Sequence, residues 1–426
     1  MKIDVTKSKL QGQISIPGSK SHTIRSFVFA LLVKGESQIK RALLSEDTLA
    51  CLKGCENLGA KVFREDNDSN IIINGSGSDI VPVVKMIDVG NSGTSLRLLT
   101  GVASLSSSLV SFDGDDSVRN RPMKPLLDSL YSLGASISSK NNLGRCPISI
   151  KGPVKGGQTQ ISGITSQFLS SLLIVTPLAK NDSVIVVKDL HEKSYVGITL
   201  SWLDRLGIEY ENKNMEQFNI PGRQIYKPFQ IQIPADFSTA CFPLGAALVT
   251  GSKIELEGLD FGDSQGDKMI FELAGSMGAS IKTSKYITSI DAENKRLEGV
   301  EVDLNDAPDA LPVLAVIACF LKSKTVIKNV AQARIKECDR ISAMVTELRK
   351  MGASIDELND GMIVYPSRLK AASLKGYNDH RIVMALAVAG MGCDGETIID
   401  SAESISVTYP DFIKDMQSLG CKISLR

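Results

Sequence analysis

A Leu-Gly or Met-Gly pair followed by a strand-like stretch recurs six times along this chain, with its glycines at Gly59, Gly134, Gly207, Gly278, Gly352 and Gly420. Successive copies lie 75, 73, 71, 74 and 68 residues apart. A fixed period of that kind marks a chain assembled from one supersecondary unit. Each glycine follows an amphipathic pattern such as Ile341, Met344, Val345, Leu348 and Met351, so it reads as the stop of a helix. A second series keeps the same period: small polar residues able to cap a helix stand at Ser21, Ser92, Thr165, Asp236, Asp306 and Asn378. Six units of 71 residues fill all 426, so the repeat is expected to be the fold itself.

The second helix series is apolar nearly all round, as in FVFALLV, SLLIVTPLA, LPVLAVIACFL and IVMALAVAG, which predicts helices buried on most sides. Between the helices, SVIVVKDL, SKIELEGL, TVIKNV and ETIIDSA alternate as strands do when one sheet face meets water. The expected fold class is therefore α/β, in two domains of three repeated units each, with buried parallel helices inside and sheets outside. Six units exceed one comfortable core, and the Pro- and polar-rich stretch 219–234 divides them three and three. One domain is expected to comprise residues 1–16 with 229–426 and the other 17–228, with hinges near 13–20 and 219–234. The amino-terminal strand is expected to complete a sheet of the carboxy-terminal domain, so that the chain crosses twice.

Bulk composition narrows the function classes. Lys+Arg and Asp+Glu are balanced at 48 each, so no overall field draws the chain to nucleic acid or to a membrane surface. The longest apolar run, Ala310 to Leu321, falls short of the ~20 residues that span a bilayer and reads as a buried helix. The first residues lack the long apolar region of a signal peptide. Eight cysteines without a CxxC pair, and only three histidines, speak against a disulfide framework or a multi-histidine metal centre. Reduced thiols in the cytoplasm are the expectation, with small molecules rather than nucleic acid or a membrane as partners.

The chemistry is expected at the helix starts, which carry partial positive charge and free N–H groups. Lys20, Ser21 and Arg25 cluster in PGSKSHTIR, and Gly93 in NSGTSLR leaves backbone open to a ligand. Arg121 in RNRPM is expected to open the following amphipathic helix, and Thr165, Ser166 and Gln167 offer uncharged donors at the third buried helix. Asp309 in DAPD opens the fifth buried helix and Arg381 in NDHR the sixth, while Lys336 and Arg340 in KECDR are expected one turn apart on a shared helix face. Singly, each is an ordinary cap or a solvated cation. Together, cations at helix starts oppose the dipole by a few tenths of a kcal/mol each, roughly, and a bound polyanion would explain them. Asp309 and Glu337 are the candidate base and acid among these cations, Asp309 being favoured as the anion by its helix start; Glu337 also reads as a salt-bridged structural residue.

PGSKS, NSGTSLR, RNRPM, SQFLSSLL, DAPD, KECDR and NDHR, in that order over essentially the whole chain, resemble the 5-enolpyruvylshikimate-3-phosphate (EPSP) synthase family. The resemblance implies an inverse α/β barrel in each domain, no cofactor, a monomer, and transfer of the enolpyruvyl group of phosphoenolpyruvate to the 5-hydroxyl of shikimate 3-phosphate. It implies that Lys20 contacts both substrates. Ser21, Arg25, Thr165, Ser166, Gln167, Tyr195 and Lys336 would hold shikimate 3-phosphate, and Gly93, Arg121, Arg340 and Arg381 phosphoenolpyruvate. Asp309 would take the hydroxyl proton and Glu337 would serve the methylene carbon. Four positions depart from the common pattern. Thr165 replaces a serine, Glu192 stands where a phosphate-contacting serine is common, Gln332 replaces an asparagine, and Val407 stands where many members carry a lysine.

Three rivals differ in what they require. The sister enzyme acting on a UDP-amino sugar shares the architecture but typically has a Lys-Asn pair and a loop cysteine, and the segment 119–125 has none. A non-catalytic repeat module would leave Asp309 and Glu337 among convergent cations unexplained. A kinase is disfavoured because no GxxxxGK[ST] loop is present.

Overall fold

In the computed structural model, which describes residues 1–64 and 69–426, the repeat is visible as a helix-strand unit used six times. Among the described residues there are six four-stranded sheets, and all six share one pattern: a parallel edge pair, then two antiparallel pairs. In the sheet of Gly157–Ser162, Ser183–Lys188, Gln217–Ile220 and Glu211–Lys213, for example, Gly157 pairs with Ser183 in parallel and Ser183 with Ile220 antiparallel. The four stretches read as strands from their alternation form Ser183–Lys188, Lys253–Glu257, Thr325–Lys328 and Glu396–Asp400.

The chain divides into two compact units, Gly18–Ile233 and a composite of Met1–Pro17 with Pro234–Arg426. The second division lies five residues beyond the expected 228/229 boundary. The reason is a short strand, Gln230–Gln232, that pairs in parallel with Gln38–Lys40 and so belongs to the Gly18–Ile233 unit. Conversely, Gln11–Ser15 pairs with Lys253–Glu257, and Lys2–Thr6 lies between Glu396–Asp400 and Lys422–Leu425, all within the composite unit. Each unit therefore takes one edge strand from the chain segment that leads into the other unit's first buried helix.

Within the composite unit the helices Phe237–Thr250, Leu311–Cys319 and His380–Met391 pack on one another, and every residue of the last two is buried. Apart from His380 and Arg381 in the first turn of the last, these two sequences are apolar all round, which explains this: a helix without a polar face lowers its free energy only by burying its whole circumference, at roughly 25 cal/mol per Å² of apolar surface. Close approach is allowed by small residues; a Cβ on Gly245 would lie 2.5 Å from Val313 Cγ2. In the Gly18–Ile233 unit, Gly93–Ala103 packs on Lys20–Leu32 and on Ser166–Val175. There a Cβ on Gly101 would lie 2.2 Å from Ser171 Oγ, a hydroxyl that donates to Arg97 O at 2.8 Å.

The outer helices end as expected. All six glycines of the Leu/Met-Gly pairs have φ between +70° and +111°, a conformation that costs other residues about 1 kcal/mol. The inner-helix caps are less uniform. Ser92, Thr165 and Asp236 cap their helices, but the first helix is capped by Ser19 and the sixth by Asp379, not by Ser21 and Asn378. The fifth opens through a 3-10 turn, Pro308–Ala310, rather than at an Asp306 cap, because Pro308 and Pro312 set the backbone of successive first turns. No helix among the described residues is long and apolar enough to cross a membrane.

Candidate active site

In the Gly18–Ile233 unit, three groups of the expected residues sit at the amino ends of the inner helices. Lys20 is the first residue of its helix, and its ammonium lies 3.0 Å from Asp47 Oδ2 in the first turn of Glu46–Asn57. Arg25, one turn further in, is 2% exposed. Its guanidinium donates to neutral oxygens only: Thr199 Oγ1 at 2.8 Å, Ser21 O at 3.1 Å, Ser170 Oγ at 3.3 Å and Tyr195 O at 3.0 Å. Burial lowers its pKa to about 10, since a desolvated cation is disfavoured where nearby oxygens carry only partial charge. An anion supplied by a ligand would reverse that penalty.

The second group surrounds Gly93. A Cβ there would lie 2.3 Å from Arg121 Nη1 and 2.8 Å from Arg97 Nη1, so the glycine makes room for two guanidiniums beside free helical N–H groups. Arg121 donates to Asn91 Oδ1 at 3.3 Å and to Ser117 Oγ at 3.2 Å. It does not open the following helix: it closes the short helix Asp116–Asn120, and the next begins at Lys124 with Pro125 in its first turn. Contrary to the sequence expectation, Arg121 is therefore favoured by its helix dipole, since it stands at a helix end. Arg97, not singled out from the sequence, is 5% exposed, lies over the Phe168 ring and donates to Gln167 Oε1 at 2.6 Å. Gln167 in turn donates to Thr94 Oγ1 at 3.0 Å.

The third group is the start of Ser166–Val175. Thr165 caps this helix and both hydroxyls, with Ser166 N, point at the carboxylate of Glu192. Tyr195 enters through its carbonyl, held by Arg25.

The composite unit gathers Asp309, Glu337, Arg340 and Arg381 into one network. Asp309 is held on both oxygens, Oδ1 by Arg340 Nη1 at 2.8 Å and Oδ2 by Arg381 Nη2 at 2.8 Å. Arg340, 1% exposed, also binds Glu337 Oε2 at 2.6 Å and Asp379 Oδ2 at 2.7 Å. Burial alone would lower its pKa, but Asp379, Glu337 and Asp309 outweigh that and hold it well above its ordinary value. Glu337 is thus salt-bridged and still partly exposed, at 13%. Arg381 donates further to Ser238 Oγ at 2.9 Å. Arg340 opens its helix, Arg340–Lys350, with Asp339 as cap. Lys336 lies outside that helix, at the end of the 3-10 turn Ala331–Ile335, which corrects the expectation that the two share a helix face.

Asp379, which the sequence does not single out, completes the network. It caps His380–Met391 by accepting from Arg381 N at 2.8 Å and grips Arg340 through both oxygens. Its signal was present in NDHR, where Asn and Asp are equally good caps and sequence alone does not choose between neighbours. Of the other departures, Gln332 donates to Asn305 O at 3.0 Å and Val407 is buried in the 3-10 turn Ala402–Val407. Among the described residues no group of three or more His, Cys, Asp or Glu could hold a metal ion.

Comparison with known proteins gives one answer. The family model described as EPSP synthase (3-phosphoshikimate 1-carboxyvinyltransferase) matches residues 5–416. The 3-phosphoshikimate 1-carboxyvinyltransferases of Acetivibrio thermocellus and Ruminiclostridium cellulolyticum are each 46% identical, covering 100% of this chain and 99% and 100% of theirs. The solved EPSP synthase of Acinetobacter baumannii superposes with a TM-score of 0.82 at 25% identity, over 99% of both chains.

Proposed function

Because the chain belongs to the EPSP synthase family, we propose how its two residue groups divide the work of enolpyruvyl transfer. The chain catalyses the 3-phosphoshikimate 1-carboxyvinyltransferase reaction: phosphoenolpyruvate gives its enolpyruvyl group to shikimate 3-phosphate, and phosphate is released. The relatives do not favour the UDP-amino sugar alternative or a passive repeat module. We read the three buried inner helices and three sheets of each unit as an inverse α/β barrel whose inner helix starts face the substrates.

In this reading the Gly18–Ile233 unit holds the acceptor. Thr165, Ser166, Gln167, Ser21 and Arg25 bind the phosphorylated ring, while Lys20, Gly93 and Arg121 meet phosphoenolpyruvate. The composite unit supplies Arg340 and Arg381 to phosphoenolpyruvate and Lys336 to the acceptor. Asp309 accepts the proton of the 5-hydroxyl as its oxygen adds to C2. Glu337 delivers a proton to C3, so that the methylene becomes a methyl in the tetrahedral intermediate, and takes one back as the C2–O bond to phosphate breaks. Negative charge moves at each step, and fixed cations lower the barrier without reorganising. Exclusion of water during turnover would strengthen each of these charge interactions.

The observation that carries this reading is the Asp309 carboxylate held on each oxygen by a different buried arginine. Two such clamps fix the direction of its lone pairs while leaving the group 16% exposed, as a base for an incoming hydroxyl requires. Asp309→Asn keeps the shape but not the basicity. We expect kcat to fall by roughly 100- to 10,000-fold, with shikimate 3-phosphate affinity by calorimetry little changed. Near-normal turnover would remove the base assignment.

A further inference from the structure

The amino end of Ser166–Val175 already holds an anion, and that anion belongs to the protein. Glu192 is 2% exposed, and its Oε2 accepts from Ser166 Oγ at 2.8 Å, Ser166 N at 3.2 Å and Thr165 Oγ1 at 3.3 Å. Two hydroxyls and a helical N–H converging on one oxygen are the donors that a phosphate oxygen would use at a helix start. We propose that Glu192 is an internal stand-in for the acceptor's phosphate and must leave this position before shikimate 3-phosphate binds, so that it sets the affinity for that substrate. The inference rests on the reading of Thr165 and Ser166 as the phosphate-binding residues.

Two features of the surrounding chain fit a side chain held inward until displaced. Glu192 itself has φ +56°, and Asp189, three residues earlier, has φ +51°. Both are left-handed conformations that non-glycine residues keep only where contacts enforce them. Here the enforcing contacts include the carboxylate's own bonds to residues 165 and 166. The segment is also bordered by a cavity of about 630 Å³, lined by Asp189, Leu190 and Lys193 on one side and by Lys213 and Gln217 on the other. That space is lined by Lys188, Lys193 and Lys213 together with Asp189 and Glu216, and it leaves room for the turn to unwind. Two anions cannot share the three donors, because like charges in a desolvated site repel strongly. Substrate phosphate and Glu192 are therefore alternatives.

The test is calorimetric titration of shikimate 3-phosphate, and of shikimate without its phosphate, into the intact chain, Glu192→Gln, Glu192→Ser and the double variant Glu192→Ser with Ser166→Ala. Removing the charge is expected to tighten shikimate 3-phosphate binding by about tenfold or more in both single variants, with shikimate binding unchanged. The double variant is expected to lose that gain for the phosphorylated ligand alone. If the double variant binds shikimate 3-phosphate as well as Glu192→Ser, the phosphate is not at residues 165–166, and that reading fails. If the double variant does lose affinity but neither single variant gains any, the phosphate reading stands and the role given to Glu192 is wrong. Weaker binding in both single variants would likewise overturn it, making Glu192 a substrate contact. Thermal melting of each variant separates these results from misfolding.

Discussion

At the scale of single residues, the site depends on guanidiniums placed by small or acidic neighbours, and each placement can be broken separately. Gly93→Ala puts a Cβ 2.3 Å from Arg121 Nη1 and 2.8 Å from Arg97 Nη1, so both arginines must shift. Steady-state kinetics are expected to show kcat/KM for phosphoenolpyruvate down by roughly 10- to 100-fold, with shikimate 3-phosphate affinity kept. Arg340→Lys cannot reproduce a fork that meets Asp309, Glu337 and Asp379 at once. It should lower stability by about 3 kcal/mol in urea unfolding. The residue types of this network were legible in the sequence because cations at helix starts need an explanation. Their bonding was not. Lys336 and Arg121 look like helix-start cations until the 3-10 turn and the short helix around them are seen, and Asp379 is hidden beside an equally plausible Asn378.

At the scale of elements, the turn before the sixth inner helix shows how a remote carboxylate supports the site. Tyr377 and Asn378 both have positive φ, +56° and +52°, and they lead directly into Asp379. Glu347, fully buried on the Arg340–Lys350 helix, accepts from Tyr377 Oη at 2.8 Å, Lys375 N at 3.0 Å and Lys350 Nζ at 2.7 Å. Burial, and then the carboxylate, push the Tyr377 phenol up to about 12. Glu347→Ala leaves these donors without an acceptor and is expected to cost about 3 kcal/mol in urea unfolding. Glu347→Gln should recover part of it. Helix stops, by contrast, were fully legible. Gly352→Ala, at φ +94° with its nearest neighbour 3.9 Å away, should cost only the conformational ~1 kcal/mol. The unread element was Gln230–Gln232, too short and too polar to announce itself, whose pairing with Gln38–Lys40 moves the unit boundary to Ile233.

At the scale of the whole molecule, the sixfold period was the strongest signal because every copy repeats the same helix stop and the same buried helix, and the six sheets repeat one pairing pattern in turn. All eight cysteines are free, and seven are buried. Burial raises the thiols of Cys146 and Cys319 to about 12 and those of Cys393 and Cys421 to about 11. Below the ordinary thiol value near ~8.5 both states keep these protons. As pH rises above it, the unfolded chain loses protons that the folded chain retains, so stability must fall. Urea midpoints are expected to be lower at pH 9.5 than at pH 7.5, and a thiol reagent at pH 8 should label native protein far more slowly than denatured protein. Transfer of the enolpyruvyl group from phosphoenolpyruvate to shikimate 3-phosphate is read out as phosphate release in EDTA. With phosphoenolpyruvate and shikimate 3-phosphate both present, phosphate should be released, and with either alone it should not. Release that instead requires a UDP-amino sugar, or that proceeds from phosphoenolpyruvate alone, would rule out this reaction for the chain.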